Sequence, residues 1–284
     1  MEGMKTVQII IPVYNAEKTV GKCLDSLLAQ TFTDWEAFLI NDVSADGSVA
    51  VIEKYLANDE RFVLLNNTER LGASLTRNEG LERLNGKYTA FLDSDDWWEP
   101  EMLERMIGEA EQNGADVVQC RYLYDFASGK QIVPKGVFAH RAVLSGKELK
   151  KVYRRMMTGI KMNHVCMKLI RTELLAGLTF DPALKTAEDL EFCVRLFGRV
   201  KRYIFIPDVL YHYYRNDSSL TGSGLPFRVK LDANRRVSKV MLQMLPAWGI
   251  DSVFYRFLTV MRPYIIIVSK AFRSAQELLA KGRG

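Results

Sequence analysis

The chain has 284 residues, of which 48% are apolar and 26% charged, enough for one large domain or two small ones around a substantial core. No apolar stretch approaches the roughly 20 residues of a membrane-spanning helix; the longest, Pro263 to Ser269, is flanked by Arg262 and Lys270, and the N-terminus lacks a signal-peptide pattern. The net charge of +5 is uneven: residues 226–284 carry 11 Lys/Arg against 3 Asp/Glu, and residues 1–225 carry 28 against 31, so a basic tail follows a mildly acidic body.

The first element in chain order, "TVQIIIPVYN", is a short β-branched run, and it reads as a buried strand. "AEKTVGKCLDSLLAQ" places Val20, Leu24, Leu27 and Leu28 at helical spacing. "WEAFLIND" is a second strand, "DGSVAVIEKYLAND" a second helix, "RFVLLNN" a third strand, "LGASLTRNEGLERL" a third helix and "KYTAFLD" a fourth strand. This alternation predicts an α/β fold with a mostly parallel central sheet flanked by helices. A helix over "EMLERMIGEAEQNG", a strand over "ADVVQCRYLYDF" and a basic, Met-rich stretch to about Leu175 follow. "AEDLEFCVRLFG" reads as a helix and "RYIFIPDVLYHYYRNDSSLT" as a strand. From Pro226, Val229, Ala233, Val237, Val240, Met241 and Met244 recur at helical spacing, and a further helix is expected over 253–280, broken or kinked near Pro263.

Cys23, Cys120, Cys166 and Cys193 form no CxxC pair and read as free thiols of a reducing compartment. The three histidines lie far apart, which argues against a His-rich metal site. The expected location is the cytoplasm.

In open α/β sheets, ligands bind beyond the carboxyl ends of the strands. The polar stretches "PVYN", "NDVSADGS", "NNTERLG" and "DSDD" all fall there, so four loops converge on one sheet edge. The last of them packs Asp93, Asp95 and Asp96 into four residues, whose mutual repulsion a cation would relieve. Asp96 alone could instead cap the next helix. Oxygen-only ligands favour Mg²⁺ or Mn²⁺, which complete their shells with substrate phosphates. There is no P-loop and no GxGxxG after the first strand, so neither that NTP-binding loop nor a dinucleotide cofactor is expected.

Taken in order, "IIIPVYNAEKTVGKCLDSLLAQTF", "INDVSADGS", "NTERLGASLTRNEGL" and "FLDSDDWWEP" resemble the inverting family-2 glycosyltransferases of the GT-A fold, of the kind that build bacterial polysaccharides. The resemblance resumes weakly at "KLIRTELL", "AEDLEF" and "YHYYRNDSSLT". It implies a GT-A domain over 1–225, with a nucleotide-binding half at 1–97 and an acceptor-binding half at 98–225, followed by a basic helical segment at 226–284. The implied donor is a nucleotide-diphosphate sugar, most often a UDP-sugar. The implied acceptor is a glycan or lipid-linked hydroxyl, and no nucleic acid is involved. The basic segment would contact the inner membrane face or a second copy of the chain.

The same resemblance implies roles for individual residues. Pro12, Val13 and Tyr14 form the first wall of the nucleotide pocket, with Glu17 nearby. Asp42 matches the acid that hydrogen-bonds uracil, whose N–H cytosine lacks. Arg77 matches the arginine of an "ARN" stretch in which Thr76 replaces the alanine. Asp93 and Asp95, with Ser94 between them, match a DxD that holds Mn²⁺ or Mg²⁺: Asp95 binds the metal directly, Asp93 the ribose or a metal-bound water, and His212 is a third metal ligand. Asp189 matches the general base and Glu188 its neighbour. One of Trp97 and Trp98 stacks on the acceptor sugar and the other belongs to the core, and Arg215 reaches the diphosphate. Relatives often carry a tryptophan before "KL" where this chain has Cys166-Met167, which weakens any inference about the acceptor. Two other functions fit less well. A catalytically silent nucleotide-sugar-binding module would not need both acidic pairs, and a sugar nucleotidyltransferase would need a Gly-rich loop where this chain has "PVYNAEKT".

Overall fold

The computed structural model of the chain describes residues 5–158, 162–215 and 225–265. Its centre is one mixed sheet. The strands β1 (Val7–Val13), β2 (Trp35–Asn41), β3 (Phe62–Asn66) and β4 (Tyr88–Phe91) lie side by side in the order β3-β2-β1-β4, all parallel. Six of the seven residues of β1 are buried and all but Gln8 are apolar, as expected for a strand whose sheet is covered by helices on both faces. Helices α1 (Val20–Leu28), α2 (Ser48–Leu56) and α3 (Ala73–Leu81) supply the crossovers. Gly80 lets α3 approach β1 closely, since a Cβ there would lie 2.7 Å from Ile10 Cγ2. This approach holds Arg77, one turn earlier, at the sheet edge.

Beyond β4 the sheet continues differently from the expected parallel pattern. The short β5 (Trp97–Trp98) leads into α4 (Met102–Asn113) and β6 (Val117–Phe126). The Met-rich stretch folds into β7 (Gln131–Ile132), β8 (Ala142–Ser145), α5 (Lys150–Thr158) and β9 (Lys168–Arg171). Strand β9 runs antiparallel between β4 and β6 and so joins the two halves of the sheet. After α6 (Glu188–Phe197), strand β10 (Arg202–Arg215) pairs in parallel with β6, with register shifts between Phe205 and Tyr211 around Pro207, which cannot donate to the ladder. The "NDSSLT" end of the expected strand lies outside the described residues.

Helix α7 (Phe227–Met244) packs on the same core through Val237 and Met241, and Leu245 and Trp248 extend that contact. A further helix runs from 253 to 265 and passes through Pro263, leaving Phe254 and Phe257 exposed. The remainder of that expected helix lies outside the described residues. No helix among the described residues is long and apolar enough to cross a membrane, and all four cysteines are buried free thiols.

Val43, directly after β2 and Asp42, holds φ at +57°. A β-branched residue is strained in this left-handed region by about 1–2 kcal/mol. Because Val43 is exposed, little burial opposes a replacement. Val43→Gly is expected to raise stability by about 1 kcal/mol, visible as a shift of a few degrees in Tm; an unchanged or lower Tm would mean that the strain is absorbed elsewhere.

Candidate active site

The carboxyl ends of β1 to β4 open into a cleft of about 680 Å³. Pro12, Val13, Tyr14, Glu17, Asp42, Arg77, Asp93, Ser94 and Asp95 all line it, so the structure brings together the residues expected around a nucleotide. Arg70, Thr76 and Tyr214 line it as well. The Arg70 guanidinium lies 4.0 Å from the centre of the Tyr14 ring. Arg70 stands within the quoted "NTERLG" motif, but nothing in its spacing distinguishes it from a solvated surface arginine.

Asp42 is 3% exposed. Its Oδ1 accepts from the Leu71 N–H at 2.7 Å and the Asn67 amide at 3.0 Å, and its Oδ2 accepts from the Gly72 N–H at 2.8 Å. Burial pushes its pKa up, but the donors from Leu71, Asn67, Gly72 and Thr76 outweigh this and hold the carboxyl below its ordinary value. Asp42 is therefore a fixed carboxylate at the wall of the cleft.

The three acids after β4 have different environments. Asp93 Oδ1 accepts from Arg77 NH2 at 2.8 Å. Asp96 is 1% exposed and is tied to β10, its Oδ2 accepting from the Tyr211 hydroxyl and its Oδ1 from the Tyr214 N–H. Burial first, and then the charges of Asp95 and Asp93, push the Asp96 pKa well up. It is a structural acid. Asp95 is open to solvent within the concave cleft, and no Lys or Arg among the described residues pairs with it. Protein crowding around it, and then the Asp93 charge, lift its pKa to about 6. Among the described residues, no group of three or more His, Cys, Asp or Glu side chains is arranged to hold a metal ion.

Arg77 links the acidic loop to the second half of the chain. It is 6% exposed, and its NH1 lies 3.7 Å from Asp189 Oδ1. Burial works against its charge, but the Asp93 and Asp189 carboxylates more than offset this. Ala187, with φ at +63°, turns the chain into α6 and sets Glu188 and Asp189 in its first turn, where the helix dipole favours carboxylates. Asp189 Oδ2 accepts weakly from the Val165 N–H at 3.4 Å, and its buried Oδ1 has no hydrogen-bond donor. Burial, and then the Asp189 charge, raise the Glu188 pKa. Lys168 is fully buried, and its ammonium donates to the carbonyls of Met162, at 3.3 Å, and His164. It thus holds the loop that faces Asp189, a role that the motif "KLIR" does not reveal.

The structure makes Trp98 the core member of its pair and corrects the expectations for Trp97, His212 and Arg215. Trp98 is 2% exposed and belongs to the core. The Trp97 ring is stacked on His212 at 5.1 Å and capped by the Lys22 ammonium at 3.0 Å, so it is already engaged within the protein. His212 Nε2 lies 2.7 Å from Glu99 and Nδ1 3.3 Å from Asp125. Both nitrogens are occupied, which leaves none for a metal. Arg215 is not part of the cleft lining; it lies 4.8 Å from the Tyr124 ring.

The sequence profile of the family described as "Glycosyl transferase family 2" matches residues 8–178. This chain belongs to glycosyl transferase family 2. Among family relatives, the glycosyltransferase EpsJ of Bacillus subtilis is 34% identical over 228 residues, covering 80% of this chain and 65% of EpsJ. A second, EpsH of the same organism, is 33% identical and is covered over 62% of its length; the chain thus spans just under two thirds of these curated relatives. The fold is that of S. aureus TarS 1–349, solved with UDP-GlcNAc, with a TM-score of 0.69 at 22% identity over 85% of this chain and 72% of that one.

Proposed function

We propose that the chain is an inverting glycosyltransferase that moves a sugar from a nucleotide-diphosphate donor, a UDP-sugar, to a hydroxyl of a glycan or lipid-linked acceptor in polysaccharide assembly. The observation that carries this reading is the line Asp93–Arg77–Asp189, in which Arg77 at the wall of a nucleotide-sized cleft ties the acid after β4 to the carboxylate in the first turn of α6. In this reading residues 1–97 hold the donor and 98–225 the acceptor. Asp42 receives the uracil N–H, and the β1 end with Tyr14 and Arg70 flanks the base.

Asp93 and Asp95 suit a hard divalent cation bound jointly with a diphosphate. They supply oxygen only, they are too few for an all-protein cage, and among the described residues no Lys or Arg forms an ion pair with Asp95. The Mn²⁺ named in the complex of the Pyrobaculum calidifontis mannosyltransferase PcManGT, which has a TM-score of 0.57 and 16% identity over 99% of this chain and 80% of that one, is compatible with this reading. Such an ion would offset charge on the departing nucleotide. Asp189 takes the proton of the acceptor hydroxyl, the freed oxygen attacks the anomeric carbon, and the bond to the diphosphate breaks on the opposite side. The test is NMR of the product formed from an α-linked UDP-sugar. A β-linked product is expected, and an α-linked product would remove the single-displacement reading.

Metal dependence should follow pH. Asp95 must be ionised to bind a cation, and in the free protein its pKa is near 6. Mn²⁺ affinity, measured by calorimetry with UDP present, is expected to be constant above about pH 7 and to fall as pH drops below 6. An affinity unchanged from pH 7.5 to 5 would exclude Asp95 as a ligand.

A further inference from the structure

The aromatic residues at the ends of β6 and β10 remain outside the donor site. Tyr122, Tyr124 and Phe126 alternate onto one face of β6, and Tyr213 and Arg215 do so on β10, with Tyr213 paired opposite Tyr124. The opposite face carries Asp125, His212 and Tyr214 and is closed by Trp97. Ring centres lie 5.2 Å apart for Tyr122–Tyr124 and 5.7 Å for Tyr124–Tyr213, and His164 lies 6.1 Å from both Tyr122 and Tyr213. All of these side chains are only partly buried.

The aromatic wall stands next to the proposed base. His164 immediately precedes Val165, whose N–H points to Asp189. The Asp189 charge acts on His164, and the charges of Asp93, Asp95 and Asp96 act on Tyr213. Arg215 lies 4.8 Å from the Tyr124 ring and 5.7 Å from the Tyr213 ring. No carboxylate pairs with it among the described residues, and its buried Nε has no acceptor.

We propose that Tyr122, Tyr124 and Tyr213 form the acceptor platform, and that Arg215 selects an acceptor sugar carrying a carboxylate or phosphate. This deepens the transferase reading and rests on Asp189 as the base. The C–H face of a pyranose is apolar and complements the negative face of an aromatic ring. A guanidinium held over the same rings binds carboxylate or phosphate with directed hydrogen bonds. This site takes the place of the one expected at Trp97 and Trp98, whose rings are already engaged or buried.

The test is saturation-transfer NMR on the full chain with UDP and Mg²⁺, using methyl β-glucoside, methyl β-glucuronide and glucose 6-phosphate as probes. At least one anionic sugar is expected to bind about fivefold or more tightly than the neutral glycoside, and the stronger of the two tells carboxylate from phosphate. Tyr213→Leu should weaken every sugar about fivefold or more, while Tyr213→Phe, which keeps the ring, should not. Arg215→Gln should abolish the anionic preference and leave the neutral sugar unchanged. UDP affinity, measured in each variant, reports whether the donor site and fold are intact. Sugar binding that is absent, or indifferent to Tyr213→Leu, while UDP binds normally would overturn the platform. Tyr213-dependent sugar binding with equal affinities for neutral and anionic probes would overturn the role of Arg215. Failure of the wild type to bind UDP would count against the donor reading, while Tyr213-dependent sugar binding in that same protein would still uphold the platform.

Discussion

Asp189→Asn is expected to lower sugar transfer by about 10²–10⁴-fold while leaving nucleotide binding within about twofold of wild type. The range is what a positioned general base contributes. Asparagine keeps the size of the side chain and can still accept from the Val165 N–H, but it cannot take a proton. Glu188→Gln should cost less, because burial and then the Asp189 charge beside it raise the pKa of that carboxyl and disfavour its ionised form. The kinetic signature is a fall in kcat with little change in the donor KM, as expected for an interaction made in the transition state. If Asp189→Asn retains full activity, or Glu188→Gln proves the more damaging, the base has been misassigned.

Arg77→Leu should have the largest effect on stability. Removing one partner of a buried ion pair leaves uncompensated charge, at a typical cost of 3–5 kcal/mol. Asp93 and Asp189 keep 29% and 21% side-chain exposure, so water recovers part of this and the lower end applies. About 3 kcal/mol corresponds to a fall in Tm of roughly 6–12 °C. Arg77→Lys keeps one charge but lacks the fork that reaches both acids, so an intermediate loss is expected. A Tm for Arg77→Leu within 2 °C of wild type would mean that Arg77 does not hold the two halves together.

Much of the first half of the fold was legible because the strands from β1 to β4 are short, largely apolar runs and α1 shows a clear helical period. The polar residues at their ends fall on one edge of a parallel sheet, so the cleft lining follows from topology. Strand β9 was not legible: its four residues carry no period, and its place between β4 and β6 is set by pairing with strands 80 and 50 positions away. The three acids of "DSDD" look alike in sequence, whereas the structure gives Asp93 to Arg77, buries Asp96 against β10 and leaves Asp95 open. The Trp97 expectation failed because its engagement by Lys22 and His212 involves residues distant in the chain. The 3.7 Å approach of Arg77 to Asp189 is likewise a tertiary contact that no local pattern encodes.

The cleft is expected to bind a nucleotide diphosphate through a cation at Asp95. Thermal unfolding with UDP, GDP, CDP and ADP, each with Mn²⁺ and with EDTA, in wild type and Asp95→Ala, checks this. A ligand at about a hundred times its Kd stabilises by roughly 2.7 kcal/mol, which is several degrees here. The expected result is a shift with UDP that requires Mn²⁺ and vanishes in Asp95→Ala. A shift of equal size in EDTA, or one that survives Asp95→Ala, would remove the cation from the site.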